Sequence, residues 1–327
     1  MNTPTNASSR LRIAHAGQEQ ALLSFNFDAH QQHDPLAVPC ARLAGPVGNE
    51  NWYAGALSES AETSGAAWAH GDRYSMAAIS IAEDSDDIEA AAQLAYERLL
   101  VCVRPSAHPH LLRIWNYFSA INEGDGDRER YRRFCVGRAR GVDGRFNDPP
   151  PAATAIGSSL QTGCLQVIAL CARTPGIALE NPRQTPAWRY PREFGPVSPG
   201  FSRGALLDAD SATPRLLASG TASIVGHVSQ HAGDVRAQLQ ESLVNLDALL
   251  AEGSRQSGRD FAARNCEALR IYLRNPGDLA PAQEIIASSG LPPDCVLYLQ
   301  GDVCRRELCV ELEGVFVAFG EPAVSDT

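Results

Sequence analysis

Apolar positions along the chain fall into two matching series. In residues 84–103, Ile88, Ala91, Ala92, Ala95, Leu99 and Cys102 recur at helical spacing. They form one stripe on a 3.6-residue period behind an acidic start at Asp84, Asp86 and Asp87, which suits a helix N-terminus. Residues 234–252 repeat the pattern with Val235, Leu239, Leu243, Leu246 and Leu250 behind Asp234. Gly253 is predicted to end that helix as its C-terminal cap. The same sequence of events follows each helix. In the first half it is an apolar strand from His110 through Phe118, a polar helix with Glu129, Arg130 and Tyr131, Pro150-Pro151, a strand over 152–158 and another over 165–172. In the second half it is a strand around Ala268 to Arg274, a helix over 281–289, Pro292-Pro293, a strand over 295–300, a turn at Gly301-Asp302 and a strand over 307–313. Arg113-Ile114 and Arg270-Ile271 occupy equivalent places. Recurrence of one α+β unit predicts an internal duplication, each copy a mixed sheet with its helices on one face.

Two segments interrupt these patterns. Residues 141–151 read GVDGRFNDPPP, and residues 174–199 hold Pro175, Pro182, Pro186, Pro191, Pro196 and Pro199. Prolines at that density stop helices and deny central strands their hydrogen bonds, so the second segment is predicted to be an ordered loop or connector. The resulting division is a flexible tail over residues 1–10, an N-terminal degenerate unit over 11–175 and a C-terminal unit over 176–327 that carries the catalytic residues. The first 80 residues add little to this reading.

Composition narrows the function. The chain has 327 residues, 44% of them hydrophobic and 20% charged, enough for two packed units. A net charge of −10 opposes nucleic-acid binding, which needs a basic footprint. No apolar run approaches the roughly 18 residues of a membrane span, and the polar start lacks the pattern of a signal peptide. The nine cysteines are odd in number and scattered, with no CxxC and no zinc spacing. Most sit among apolar neighbours, as expected of reduced thiols in a cytoplasmic protein. No phosphate loop, nucleotide glycine motif or GxSxG is present, and the absence of a cofactor motif fits a chemistry that requires no metal or organic cofactor.

The string Leu217-Ala-Ser-Gly-Thr-Ala-Ser-Ile, with Gly233-Asp234, Gln240, Asn245-Leu246 and Cys309-Val-Glu-Leu-Glu-Gly314, is similar to the Rid (reactive intermediate deaminase, YjgF-like) superfamily. Members of that superfamily form trimers with substrate clefts between subunits. A longer string runs from Glu180 through Asn181, Pro182 and Arg183 to Ala187-Trp-Arg-Tyr190 and on to Gly200-Phe-Ser-Arg203. Together with Arg113-Ile-Trp-Asn-Tyr-Phe118 and Arg130-Tyr131, it resembles the chorismatases, which include hydroxybenzoate synthases and chorismate hydrolases. The resemblance runs from about residue 95 to 315. Rid deaminases hold the substrate carboxylate with an arginine after the proline of the penultimate strand. Here Leu291-Pro-Pro-Asp-Cys-Val has Asp294 and Cys295 there, which speaks against imine deamination.

The chorismatase resemblance implies a fold of two tandem Rid-like units and release of pyruvate from chorismate. The product it implies is a hydroxybenzoate, 3-hydroxybenzoate first and 4-hydroxybenzoate as the other isomer. Splitting an enol ether needs a proton delivered to the vinyl carbon, two anions held and bulk water excluded. Glu311 lies in an alternating segment where it shares one strand face with Glu313; on residue pattern alone both are as readily a solvated strand face. The resemblance makes Glu311 the acid and leaves Glu313 open. Cys304 occupies the position that resembles the aromatising branch, with Arg305-Arg306 placed to favour a thiolate, and a small buried cysteine is the alternative. Arg183, Arg203, Arg189 and Arg138 are the candidates for the two carboxylates, as guanidinium forks suit bidentate binding; Arg183 and Arg203 come first. Tyr190 is a candidate for the ring or a carboxylate. Ser219, Gly220, Thr221 and Ala222 are candidates for close contact with the ligand. His227, His108 and His110 are read as structural or loop residues. The competing readings are a non-catalytic Rid-like metabolite binder and a chorismate hydrolase that leaves a dihydroxy-cyclohexadiene carboxylate. Two units in one chain leave a monomer or a small homo-oligomer open.

Overall fold

In the computed structural model, residues 10–15, 20–27, 37–63, 65–83, 87–160 and 163–318 are described. The tail expected over residues 1–10 therefore lies, Arg10 apart, outside the described residues. Seven strands precede the first helix: β1 (Arg12–Ala14), β2 (Leu23–Phe25), β3 (Arg42–Ala44), β4 (Glu50–Tyr53), β5 (Glu59–Thr63), β6 (Ala66–His70) and β7 (Tyr74–Ala82). The first half continues with α1 (Ile88–Val103), β8 (His110–Ser119), α2 (Arg130–Gly141), β9 (Ala152–Ser158) and β10 (Cys164–Ala172). The second half holds β11 (Ile177–Leu179), β12 (Gly204–Leu207), β13 (Arg215–Ala222), a small hairpin of β14 (Ile224–Val225) and β15 (Val228–Ser229), α3 (Val235–Ser257), β16 (Cys266–Leu273), α4 (Leu279–Ala287), β17 (Val296–Asp302) and β18 (Val310–Val317).

The expected α+β duplication is present in the strand order. The first half runs β9-β8-β10-β7-β6-β5 and the second runs β17-β16-β18-β13-β12-β11. In each copy the first two strands are parallel, as β8 with β9 and β16 with β17, and the rest are antiparallel. A parallel pair needs a crossover, which α2 and α4 supply. The two copies join at a short seam, where Gly301 and Asp302 of β17 pair with Ser158 and Gly157 of β9. Beyond the seam β9 turns towards the other side of the second half: the Ser219 hydroxyl accepts from the Ala153 N–H at 3.0 Å, and the Ser202 N–H donates to the Pro151 carbonyl at 3.0 Å.

Among the described residues, strand alternation sorts side chains into three large cores, beside a small cluster of Ala222, Ile224, Val303 and Leu308. On the first half's helix face, Ile114, Phe118, Val167 and Ala169 pack against Ile88, Ala95 and Leu99 of α1 and Phe134 of α2. On the second half's helix face, Leu269, Ile271, Val310 and Leu312 pack against Leu239, Leu246 and Leu250 of α3. The opposite faces meet in a central core with Trp115, Tyr117, Leu217, Tyr272 and Leu299, closed by Trp52 and Phe25 of the small sheet β1-β4-β2.

Three expectations are corrected. Gly253 does not cap α3, which continues to Ser257 and ends on Gly258 at φ +65°. Gly253 is there because a Cβ would fall 2.4 Å from Leu216 Cδ1, so the glycine allows the helix to lie close on the sheet. Gly301-Asp302 is not a turn but the end of β17, and the connection to β18 is the longer segment 303–309. The first 80 residues are not marginal, since β5 to β7 extend the first half's sheet and Trp52 and Phe25 fill the central core.

Candidate active site

A cavity of about 330 Å³ opens where β9 leaves the seam, a volume suited to a small metabolite. The first half supplies Asn116 of β8, Thr154 of β9, and Tyr131 and Arg138 of α2 to its wall. The second half supplies Gly220 and Ala222 of β13, Glu311 of β18, and Cys304 and Arg305 of the β17–β18 connection. Tyr190, Phe201 and Arg203 of the proline-rich segment line the remaining side. The C-terminal half thus holds Glu311 and Cys304, but the cavity is built by both halves.

Glu311 follows from the alternation of β18, which turns Val310 and Leu312 to the helix-side core and Glu311 and Glu313 to the interior. It is buried. Burial, and then the neighbouring Glu313 carboxylate, push its carboxyl up to about 8, against the smaller opposing pull of Arg113 and Arg203. Such a group carries its proton at neutral pH. Its close approach to β13 depends on Gly220, where a Cβ would lie 2.1 Å from Glu311 Oε1. This glycine falls where the register between β13 and β18 shifts, between Ala218 and Thr221.

Glu313, two residues on, has a different environment. Arg113 donates to its Oε2, and Arg270 at 3.1 Å and the Tyr272 hydroxyl at 2.7 Å donate to its Oε1. The Thr154 hydroxyl donates to Oε2 while accepting from Arg113 and, at 2.9 Å, from the Gly220 N–H. Arg270 continues to Glu50, which also accepts from Trp52 Nε1 at 2.8 Å. Burial alone would raise the Glu50 carboxyl, but Arg270 holds it below its ordinary range.

Three cations face the cavity without a carboxylate partner among the described residues: Arg138, Arg203 and Arg305. Arg203 donates to the Thr185 carbonyl at 2.9 Å and to the Tyr190 hydroxyl at 2.7 Å, and its Nε is buried without a partner. Arg305 donates to the His227 carbonyl at 2.9 Å and to Ser229 Oγ at 3.0 Å, and its Nη2 is likewise buried without one. Buried donors left open are costly unless a ligand completes them. At the mouth, by contrast, Arg132 pairs with Glu129 at 3.2 Å and Arg306 with Asp125 at 3.4 Å.

The residues singled out in the sequence divide accordingly. Glu311, Cys304, Arg203, Tyr190, Arg138, Gly220 and Ala222 line the cavity. Arg183 does not: it donates to Asn245 Oδ1 at 2.5 Å and Glu241 Oε1 at 2.6 Å, bracing the proline-rich segment on α3. Arg189 is exposed and stacks on Trp188 at 4.4 Å. Ser219 and Thr221 point away, with hydroxyls donating to the carbonyls of Ser202 and Ser219 at 2.6 and 2.8 Å. The thiolate expected at Cys304 is also corrected. Burial and then Glu311 push this thiol upwards, and Arg305 only partly opposes them, so it stays protonated. Sequence reasoning missed Arg305, Tyr131, Asn116 and Thr154 as wall residues. The Arg305-Arg306 pair was visible, but nothing in the sequence tells which of the two turns inward.

Residues 50–171 match the sequence family described as chorismatase FkbO/Hyg5-like, N-terminal. The chain is 34% identical over 291 residues to a 3-hydroxybenzoate synthase of Streptomyces hygroscopicus, covering 86% of this chain and 82% of that protein. It is 36% identical over 274 residues to a chorismatase of Streptomyces rapamycinicus, covering 81% of each. A chorismatase crystal structure superposes with a TM-score of 0.80 at 31% identity, over 94% of this chain and 98% of that one.

Proposed function

The chain belongs to the chorismatase family, and from that membership we propose that it converts chorismate to pyruvate and 3-hydroxybenzoate in the cavity between its two halves. The observation that carries this reading is Glu311: a buried carboxyl in a cavity wall, pushed up to about 8, is a general acid ready at neutral pH. Its proton goes to the terminal carbon of the enolpyruvyl group, giving an oxocarbenium ion. Water adds to that cation, the Glu311 carboxylate takes the released proton, and the hemiketal collapses to pyruvate and the ring alcohol. Loss of one water from the ring gives the hydroxybenzoate, so the water consumed equals the water released. Arg138, Arg203 and Arg305 are the cations for the two substrate carboxylates, and the open donors on Arg203 and Arg305 support that assignment.

The protonated Cys304 lies on the same wall and acts on the ring after pyruvate leaves, passing a proton to the departing ring hydroxyl as water is lost. A protonated carboxyl beside three arginines that lack a carboxylate partner among the described residues supports acid catalysis on an anion over a non-catalytic binder, and Asp294-Cys295 speaks against a Rid-type deaminase. Both halves within one chain complete the cavity, so a monomer suffices for the reaction. The nine cysteines form no disulfide and five of them are buried, which suits a reducing compartment such as the cytoplasm.

The test is incubation of the Glu311→Gln enzyme with chorismate, with pyruvate and aromatic products resolved by chromatography. The expected result is a loss of about 10²–10⁴-fold in turnover with the circular dichroism unchanged. Full pyruvate release by that variant would remove the acid role.

A further inference from the structure

Two carboxyl groups share the inner face of β18, and they are treated in opposite ways. Among the described residues, two cations and two hydroxyls bond to Glu313: Arg113, Arg270, Tyr272 and Thr154. None of them bonds to Glu311. The link between the two is Thr154, whose hydroxyl donates to Glu313 and accepts the Gly220 N–H at 2.9 Å, and Gly220 is the residue against which the Glu311 carboxyl lies.

We propose that Glu313 is a positioning residue for the reaction: it gathers the cations and donors of the shared strand face, leaving Glu311 the unpaired acid, and through Thr154 it fixes the Gly220 backbone that sets where that acid points. The proposal rests on Glu311 being the general acid. Geometry makes the division of roles economical, since Arg113 would otherwise be free to pair with Glu311 and strip it of its proton. The ion pairs are buried on both sides, with side chains of Arg113, Arg270 and Glu313 exposed by only 2%, 4% and 4%, so solvent does not screen them. The groups acting on Glu311 are Glu313 on its own strand, Arg113 of β8, Arg203 of the proline-rich segment, Cys304 of the β17–β18 connection and Tyr131 of α2. Of these, only Glu313 both raises the Glu311 carboxyl and holds the nearest arginine away from it.

The test compares pH profiles of kcat/KM for the wild type, Glu313→Gln and Glu311→Gln. Removing the like charge and releasing Arg113 is expected to move the alkaline limb of the Glu313→Gln profile about one pH unit lower, with a lower kcat. An inactive Glu311→Gln together with an unshifted limb in Glu313→Gln would overturn the proposal alone. An active Glu311→Gln would overturn the acid assignment and the proposal with it. Should Glu313→Gln not fold, Thr154→Val and Thr154→Ser decide. Valine is expected to lower kcat about tenfold with KM within about twofold, and serine, which keeps the hydroxyl, to restore it. A valine variant with wild-type kcat would overturn the proposal.

Discussion

The two halves of the molecule share one strand order, and they differ in what the inner face of one matching strand holds, apolar side chains on β10 and carboxyls on β18. Strand registers make the correspondence exact to the residue. Arg113, Ile114 and Trp115 of β8 pair with Leu170, Ala169 and Ile168 of β10. Arg270, Ile271 and Tyr272 of β16 pair with Glu313, Leu312 and Glu311 of β18. Glu311 and Glu313 therefore stand where the first half has Ile168 and Leu170, both fully buried in the central core. Likewise Thr154 of β9, opposite Trp115, stands where the second half has Leu299 of β17, opposite Tyr272. The corresponding arginines Arg113 and Arg270 persist in both halves and converge on the single carboxylate of Glu313. A duplicated frame thus gives its two copies different work. At these strand positions one copy fills space with Ile168 and Leu170, and the other holds carboxyls, of which Glu313 is paired and hydrogen-bonded on both oxygens.

The largest effect is expected where the charged copy is made to resemble a partly apolar one. Arg270→Met removes the cation shared by Glu50 and Glu313 and its stacking over Phe25 at 4.2 Å. Breaking a buried pair from one side costs about 3–5 kcal/mol, so the urea midpoint should fall steeply. An unchanged midpoint would mean that the network does not hold the halves together.

Gly220→Ala sharpens the comparison at the acid itself. The added Cβ lies 2.1 Å from Glu311 Oε1 and 2.9 Å from Cδ, so the carboxyl must move by about an ångström. Misplacement on that scale costs about a hundredfold in kcat, while a small residue facing the cavity leaves the thermal midpoint nearly unchanged. Steady-state kinetics beside a melting curve separate the two, and a wild-type kcat would show that the close approach is not needed.

Proton linkage gives a smaller, graded difference between the halves. Glu311 has its carboxyl pushed from 4.5 to about 8, so between those values the folded chain holds a proton that the unfolded chain has released. Stability from this group is full below about 4.5 and declines as pH rises through 8. The active form declines over the same upper limb, so kcat/KM should fall about tenfold per unit above pH 8. Glu311→Leu, which copies the apolar character of Ile168, should flatten the pH dependence of stability over that window, read from urea midpoints at pH 5 and 8.

Much of this contrast was legible in the sequence, for physical reasons that can be named. Helical periodicity, paired prolines and the repeated Arg-Ile strings reveal the duplication because each copy must bury the same faces. The alternation around Glu311 marks its strand face, but the same pattern suits a solvated edge, and only the family resemblance separates them. Arg183 and Arg305 show the limit. Both are arginines beside plausible site residues, and what decides between them is partners distant in sequence: Glu241 on α3 holds one away from the cavity, and the His227 carbonyl and Ser229 hydroxyl hold the other in its wall. The early strands escaped notice because they are short or rich in alanine, and their apolar residues meet a core supplied by segments far along the chain.

The smallest expected effect on the fold, and the sharpest on chemistry, is at Cys304. Its connection, residues 303–309, intervenes between β17 and β18, where the first half passes from Ser158 to Cys164. The side chain packs against the small cluster of Ala222, Ile224, Val303 and Leu308 and also lines the cavity. Burial and Glu311 push the thiol upwards, which suits the proposed neutral proton donor and not a thiolate base. Cys304→Ala removes one buried sulfur, leaves the Glu311 step intact and should keep pyruvate release within a few-fold of wild type. The ring product should shift from 3-hydroxybenzoate towards the dihydroxy-cyclohexadiene carboxylate, since the ring diol is then released before it loses water. Chromatography of the ring products at matched pyruvate yield reads this directly. An unchanged hydroxybenzoate fraction would assign the aromatising step to other groups of the cavity, and the first to examine would be Tyr131 and Asn116 of the opposite half.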